Sequence, residues 1–249
     1  MISFNRLGSY GRLGNQMFQY ASLKGIARNN DLEFCIPFSV EVNEWYDHML
    51  SKHFVLDSNL SLQSPENQFQ YNERFFHFDR LLFEGCPDRT DLSGYFQSYK
   101  YFDFIRDEIL ADFQFKENFE PPMSDYTAVH VRRGDYLNQT HYHPICEVEY
   151  YQKALSLTGG PVVVMSDDID WCKQNIVADV YLEGTSNVYD LFVMTRARNN
   201  VIANSSFSWW GAWLNQNPDK MVVCPERWFG DGYSHYDLSD LRPTEWTML

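Results

Sequence analysis

The stretch Tyr126-Thr-Ala-Val-His-Val-Arg-Arg-Gly-Asp-Tyr136 sets the expectation for the fold of this 249-residue chain. Residues 126–131 form a short apolar run that is typical of a buried β-strand. Two arginines and an aspartate follow it directly, and in open α/β sheets ligands bind beyond the carboxyl ends of the strands. Adjacent arginines offer rigid forks of N–H donors that suit phosphate. We interpret the turn as a site for a diphosphate, although such a cluster can also be an ordinary exposed ion-pair network.

The sequence after residue 122 alternates regularly between apolar runs and helical patterns. The predicted strands are 127–131, 162–165, 180–182, 201–203 and 221–224, and the predicted helices are 147–157, 169–175, 188–198 and 207–215. This alternation predicts a parallel sheet with right-handed crossovers, an α/β fold. Because Glu120-Pro-Pro122 resembles a linker, we divide the chain into domains 1–122 and 123–249.

The first half of the chain is less regular. A strand is predicted over 2–7 and a helix over 15–28, and Gly8, Gly11 and Gly14 lie between them. A glycine-rich turn before a helix N-terminus favours anions, but the same turn also occurs without any ligand. A further strand at 92–95 is predicted to lead into a helix that ends near residue 112.

Composition excludes several classes of protein. The formal net charge of −14 argues against a nucleic-acid partner. No signal peptide and no apolar run of transmembrane length is present, so we expect a cytoplasmic protein, with peripheral contact at the inner membrane left open. Five scattered cysteines without a CxxC pair indicate reduced thiols and no zinc site.

Polar residues follow three of the predicted strands in the second half. Besides the His130–Tyr136 turn, Asp167 and Asp168 follow one strand, and Ser205 and Ser206 follow another. The serines fit a helix N-cap, a phosphate site, or both. The paired aspartates could hold Mg²⁺ or accept N–H bonds from guanine. We favour guanine recognition by Asp167, with Asp168 as a helix N-cap.

Three tryptophans in one predicted helix allow two interpretations. Trp209, Trp210 and Trp213 could form a platform for a sugar ring. Their helical spacing is more typical of packing against the sheet.

Six segments together resemble one family, the bacterial-type α-1,2-fucosyltransferases of glycosyltransferase family 11. They occur in the family's order and are Gly11–Ala21 (GRLGNQMFQYA), Gly94–Ser98 (GYFQS), His130–Tyr136 (HVRRGDY), Glu149–Ala154 (EYYQKA), Val164–Asp168 (VMSDD) and Ala203–Leu214 (ANSSFSWWGAWL). The resemblance implies a GT-B-like architecture, in which two Rossmann-like domains face each other across a cleft. The N-terminal domain would serve the acceptor and the C-terminal domain would bind the donor.

The resemblance also implies the activity and its partners. The donor would be GDP-β-L-fucose and the acceptor the 2-hydroxyl of a β-galactoside, in a galactose-terminated oligosaccharide or a glycolipid. Neither a metal nor a cofactor is expected. Two alternatives stay open: a protein that binds carbohydrate or nucleotide without turnover, and a transferase that uses another GDP-sugar.

The resemblance assigns roles to individual residues. Arg132 would bind the β-phosphate, and His130 and Asp167 would contact guanine. The remaining donor-binding residues would be Arg12, Asn15, Arg133, Ser205, Ser206 and Phe207. Arg132 and Arg133 would also stabilise the charge that grows on departing GDP in an inverting displacement. For the general base we favour Asp135, which could instead only orient an arginine; Glu147 and Glu149 are the fallbacks.

Overall fold

The computed structural model describes residues 1–9, 11–36, 49–61 and 66–249. The chain forms two compact units: Met1–Glu117 with Tyr236–Pro243, and Asn118–His235 with Thr244–Leu249. The segment Tyr236–Pro243 therefore belongs with the first unit, although it follows most of the second in sequence. The carboxylate of Asp240 fastens it there, because it accepts the N–H of Phe78 at 3.0 Å and pairs with Lys100.

The first unit contains a parallel sheet. Its strands are β1 (Ile2–Ser3), β2 (Phe34–Cys35), β3 (Phe69–Asn72) and β4 (Thr90–Ser93), in the order β2-β1-β4-β3. Its helices are α1 (Leu13–Asn29), α2 (Met49–His53), α3 (Arg80–Gly85) and α4 (Arg106–Asp112). The chain leaves β1 toward β2 and returns on the other side of β1 at β4. The carboxyl ends of β1 and β4 thus flank a topological switch point.

Helix α1 confirms the predicted helix after the glycine turn and forms the core of the first unit. Between Leu13 and Ala27 every residue except Asn15 is buried. A Cβ on residue 25 would overlap the backbone carbonyl of Tyr101, so glycine is required at this position. The helix is therefore enclosed on nearly all sides, as expected for a helix in the middle of a domain.

A network of charges lies against α1. The Lys24 ammonium is 2% exposed and lies 2.6 Å from Asp112, 3.0 Å from Asp57 and 3.2 Å from Glu108. Burial lowers the pKa of Lys24, but its hydrogen bonds and charge interactions with the two aspartates outweigh burial and raise the pKa above its usual value. Lys24 is therefore a buried cation whose charge is stabilised by its carboxylate partners.

A second, half-buried carboxylate fastens the turn after β4. Glu73 accepts the N–H of Tyr95 at 2.7 Å and the N–H of Phe96 at 2.9 Å. Burial raises the pKa of Glu73 to about 7, although both N–H donors oppose the shift. Near neutral pH this carboxyl group is therefore close to the point where it gains or loses its proton.

We expect the stability of the protein to fall as pH rises because of Glu73. The pKa is 4.5 for an ordinary glutamate and about 7 here, so between these values native Glu73 keeps a proton that the unfolded chain has released. The resulting loss should reach about 3 kcal/mol by about pH 8. Urea unfolding of the wild type and of Glu73→Gln, from about pH 5 to about pH 8, measures the difference. Parallel pH profiles of the two proteins would contradict this prediction.

The second unit contains a larger parallel sheet, as predicted. Its strands are β5 (Thr127–Val131), β6 (Val162–Ser166), β7 (Val180–Tyr181), β8 (Asn199–Val201), β9 (Val222–Cys224) and β10 (Thr247–Met248), in the order β7-β6-β5-β8-β9-β10. Its helices are α5 (Val148–Thr158), α6 (Ile169–Asn175), α7 (Asn187–Arg196) and α8 (Ser206–Leu214). This is the doubly wound strand order, with its switch point between β5 and β8.

Strand β8 begins two residues before the predicted strand 201–203. Its first two residues, Asn199 and Asn200, are polar but buried. The Asn199 side chain accepts the N–H of Met221 at 2.9 Å, and the Asn200 amide donates to the carbonyl of Met194 at 2.9 Å. Because these partners satisfy the amides, polar residues occupy strand positions that an apolar pattern does not identify.

The tryptophans of α8 belong to the core, which confirms packing and corrects the sugar-platform alternative. Trp209, Trp210 and Trp213 are at most 1% exposed. The ring centroids of Trp209 and Trp210 are 5.0 Å apart, and those of Trp210 and Trp213 are 5.3 Å apart. These rings are therefore not accessible to a sugar.

Across the described ranges, none of the helices combines the length and the apolar character that a membrane crossing requires.

Candidate active site

Three polar segments meet at the carboxyl edge of the second sheet. β5 lies between β8 and β6, and all three are parallel. The turn that begins at Arg132, the pair Asp167–Asp168 and the segment Asn204–Ser206 follow these neighbouring strands. The predicted convergence of the three strand ends is therefore present within this unit, beside the switch point between β5 and β8.

Arg132 is held by two carboxylates. Its Nη1 pairs with Asp167 and its Nη2 with Asp135, and the guanidinium lies 5.0 Å from the centre of the Tyr136 ring. The side chain is only 15% exposed. A guanidinium carries five N–H donors, so two carboxylate contacts fix its orientation without using all of its donors.

Gly134 makes this arrangement possible. A Cβ on residue 134 would overlap the carboxylate of Asp167 and lie 3.3 Å from Nη1 of Arg132. Glycine is therefore required by the close approach of the carboxylate to the backbone.

Arg133 is fastened to helix α6. Its Nε lies 3.0 Å from Asp168, and its guanidinium lies 4.1 Å from the centre of the Trp171 ring. Asp168 also accepts the N–H of Trp171 and thus caps α6, as predicted. The backbone N–H of Arg133 donates to Asp167 at 2.9 Å. These contacts show an anchoring role, and the donor-binding role of Arg133 stays a prediction.

The carboxylates outnumber the guanidiniums in this cluster. Arg132 and Arg133 carry two positive charges, whereas Asp135, Asp167 and Asp168 carry three negative charges. A diphosphate would therefore compete with carboxylates for the same donors. The cluster orients its arginines strongly, but it does not form a purely cationic pocket.

His130 is a neutral side chain of β5, two residues before Arg132. It is buried against Phe207, with ring centroids 5.3 Å apart. Burial, helped by the charge of Arg132, lowers the pKa of His130 to about 3. Its Nδ1 is buried and has no hydrogen-bond partner within the ranges that the structure describes. The predicted guanine contact of this imidazole stays a prediction.

Ser205 and Ser206 lie at the start of α8. Ser205 is the N-cap residue, but its hydroxyl makes no capping bond to the helix. Ser205 is buried and Ser206 is half-buried. The structure therefore gives no support to the interpretation of Ser205 as a side-chain cap, whereas the position beside a helix N-terminus still suits an anion.

Two residues that support the site were absent from the predicted set. Asn204 is buried, and its amide donates to the carbonyls of Pro144 and Trp228, both at 2.9 Å, while its own carbonyl accepts from Tyr136. It joins the loops after β5, β8 and β9. The polar run after β8 already contained Asn204, so the sequence held a signal for it.

His143 is the second of these supporting residues, and no local sequence pattern identifies it. The two rings stack with centroids 4.7 Å apart, and Phe229 and Tyr233 enclose the imidazole. Burial lowers the pKa of His143, which keeps the ring neutral. Tyr136 thus has an imidazole stacked on it and also faces the guanidinium of Arg132.

Arg12 and Asn15 belong to the first unit and lie at its own switch point. Arg12 is the exposed N-cap residue of α1. Asn15 is half-buried, and its Oδ1 accepts the amide N–H of Gln97 at 2.8 Å. Gly11, with a φ of +92°, lies so close to Asn15 that a Cβ there would overlap the amide. The donor-binding roles of both residues stay predictions.

Comparison with known proteins places these segments in a family. The model described as Glycosyl transferase family 11 matches residues 2–249. O-antigen biosynthesis glycosyltransferase WbnK of Escherichia coli is 35% identical, over 88% of this chain and 93% of its own. An alpha-1,2-colitosyltransferase of Escherichia coli is 28% identical, over 88% and 90%. Galactoside alpha-(1,2)-fucosyltransferase 2 of Oryctolagus cuniculus is 28% identical, over 84% and 66%.

A solved structure has the same fold. The crystal structure of NodZ alpha-1,6-fucosyltransferase soaked with GDP-fucose covers 86% of this chain and 91% of its own, with a TM-score of 0.53 and 14% identity. At this identity the likeness concerns the fold alone. It confirms the predicted α/β, GT-B-like class with parallel sheets.

Proposed function

Because this chain belongs to glycosyl transferase family 11, we propose that it transfers L-fucose from GDP-β-L-fucose to the 2-hydroxyl of a β-galactoside. The observation that carries the proposal is Arg132, oriented by Asp135 and Asp167 at the switch point of the second sheet. Among the relatives named above, one is an alpha-1,2-colitosyltransferase and another is a galactoside alpha-(1,2)-fucosyltransferase.

The donor would bind at the carboxyl edge of the second sheet. The N–H donors of Arg132 that the carboxylates leave would hold the β-phosphate. His130 and Asp167 would contact the guanine, and Ser205, Ser206 and Phe207 at the start of α8 would complete the site. Arg12 and Asn15 are also included among the proposed donor-binding residues. The crystal of NodZ soaked with GDP-fucose supports this choice of nucleotide-sugar for the fold.

The reaction would be a single inverting displacement. The acceptor oxygen forms a bond to the anomeric carbon of β-linked fucose, while the bond from that carbon to the phosphate oxygen breaks and GDP leaves with the electron pair. Negative charge grows on the departing diphosphate, and Arg132 stabilises it because the two carboxylates hold its guanidinium in place beforehand. The product is an α-linked fucoside.

The proton of the acceptor hydroxyl requires a base, and we assign it to Asp135. Its carboxylate pairs with Arg132 and is 43% exposed, so an acceptor can reach it. The same ion pair fits the other role considered for Asp135, which is to orient Arg132. Glu147 and Glu149, both exposed, are the fallbacks.

We expect transfer of fucose to lactose to proceed equally well with and without EDTA. The guanidinium of Arg132 supplies the positive charge that Mg²⁺ supplies in other transferases, so the proposal includes neither a metal nor a cofactor. The measurement is GDP release on addition of lactose to protein and GDP-fucose, followed by linkage analysis of the product. Loss of activity under chelation, with recovery on adding magnesium, would overturn metal independence.

The same assay separates the alternatives. A protein that only binds carbohydrate or nucleotide releases no GDP with any acceptor. A transferase with another donor releases GDP from a different GDP-sugar; the colitosyltransferase relative makes a colitosyl donor the second candidate.

Sedimentation with and without anionic vesicles tests the predicted cytoplasmic location against peripheral membrane attachment.

A further inference from the structure

The turn Gly94–Ser98 lies at the switch point of the first sheet and has no assigned role. It follows β4, whose neighbour β1 leads through the N-cap residue Arg12 into helix α1. The amide of Gln97 donates to Asn15 in the first turn of α1 at 2.8 Å and joins the turn to this helix. Switch points are where open α/β sheets bind ligands, so this turn is in a position to contact one.

The backbone of the turn is strained and held from several sides. Gly94 has a φ of +152°, and Phe96, which is not a glycine, has a φ of +54°. Glu73 accepts the N–H groups of the two residues after Gly94. Gln19 donates to the carbonyl of Gly94 at 2.9 Å, and Ser22 donates to the carbonyl of Phe96 at 3.0 Å. Strain that is fixed by so many bonds is typical of functional segments.

The consequence of this geometry is that neighbouring aromatic rings have opposite environments. Phe96 is fully buried and contacts Phe4, Tyr71 and Tyr101. Tyr95, the residue before it, is 41% exposed. Tyr95 is therefore partly exposed on a backbone that several hydrogen bonds hold, so a ligand that contacts it would pay a small cost in conformational entropy.

We propose that Tyr95 is the stacking residue for the galactose ring of the acceptor. A β-galactoside has a patch of C–H groups on one face of its ring, and such a patch packs on an aromatic face while the hydroxyls stay solvated. Tyr95 is at the carboxyl edge of the unit that contains Arg12 and Asn15. This inference rests on the proposed function, since it takes a β-galactoside as the acceptor.

Kinetics of three variants test the proposal. Tyr95→Ala should raise the KM for lactose about tenfold, because it removes a stacking contact. The KM for GDP-fucose, its slow hydrolysis without acceptor and the thermal unfolding midpoint should stay unchanged. Tyr95→Phe, which keeps the ring, should restore the wild-type KM. The matched control is Phe104→Ala, which removes a 56% exposed ring of the same unit.

Saturation-transfer NMR with lactose alone separates this inference from the proposed function. We expect signal on the galactose protons with the wild type and Tyr95→Phe, and its loss with Tyr95→Ala. Equal signals from the wild type and Tyr95→Ala, or no signal from the wild type, overturn the inference. If Tyr95 proves necessary for lactose binding but GDP-fucose is never consumed, the inference stands and the proposed function fails.

Discussion

Arg132→Ala should lower kcat for fucose transfer by about 100- to 1000-fold, which is the usual cost of removing a preorganised group that stabilises transition-state charge. The loss should fall mainly on kcat, because the charge on GDP grows only as the bond to fucose breaks. Two carboxylates hold Arg132, so the enzyme spends no energy on orienting it during the reaction. The measurement is steady-state kinetics with GDP-fucose and lactose.

Two further variants make this result specific. Arg132→Lys keeps the charge but loses the planar fork, so it should recover only part of the activity. Arg198→Ala is the matched control, since it removes an exposed arginine of the same unit that pairs with Asp125 at 3.7 Å. It should behave as the wild type. A kcat within threefold or so of the wild type in Arg132→Ala would remove Arg132 from the mechanism.

Lys24→Met should lower the free energy of unfolding by about 3 kcal/mol, the cost of leaving the buried carboxylate of Asp112 without its cation. Asp57 and Asp112 are each 8% exposed and lie within 3.0 Å of the Lys24 ammonium. Without Lys24, Asp57 keeps Arg28, whose Nη2 lies 3.1 Å away, whereas Asp112 must stay ionised in a poorly solvated place or take up a proton. Urea unfolding at neutral pH measures the loss, which is a large share of the stability of a typical domain.

A double-mutant cycle identifies the cause of this loss. Lys24→Met combined with Asp112→Asn removes a cation and an anion together, so it should cost less than the sum of the single variants. Lys52→Met, at an exposed lysine of the same unit, is the matched control and should change little. If the double variant equals the sum of the singles, the ion pair is not the source of the stability.

The ion-pair partners on which these two predictions depend could not all be derived from the sequence. The role of Arg132 came from its place after an apolar run, but its partner Asp167 comes from the next strand, where the pairing of β5 with β6 decides the contact. Asp135, three residues away on the same turn, was within reach of local reasoning. No local pattern distinguishes the buried Lys24 from an exposed helical lysine, because burial depends on what packs around α1.

Local patterns predicted most of the second unit. Strand 127–131 and helix 169–175 were predicted with the bounds they have, since an apolar run buried on both faces and a capped helix carry their signals within a few residues. Strand β8 begins two residues earlier than predicted, because its first residues are amides that are satisfied by partners far along the chain. The two-residue strand β10 was missed, because it depends on pairing with β9 rather than on its own pattern.

The amino-acid sequence alone thus determined the α/β class, the family and the three strand ends that carry the site, because these follow from short-range periodicity and from recognisable motifs. Only the tertiary structure decided which carboxylate orients which arginine, that the tryptophans of α8 lie in the core, and that Glu73 fastens the turn Gly94–Ser98. It also decided that Tyr236–Pro243 packs with the first unit. These features depend on contacts between residues distant in sequence, and such contacts leave no periodic signal in the chain.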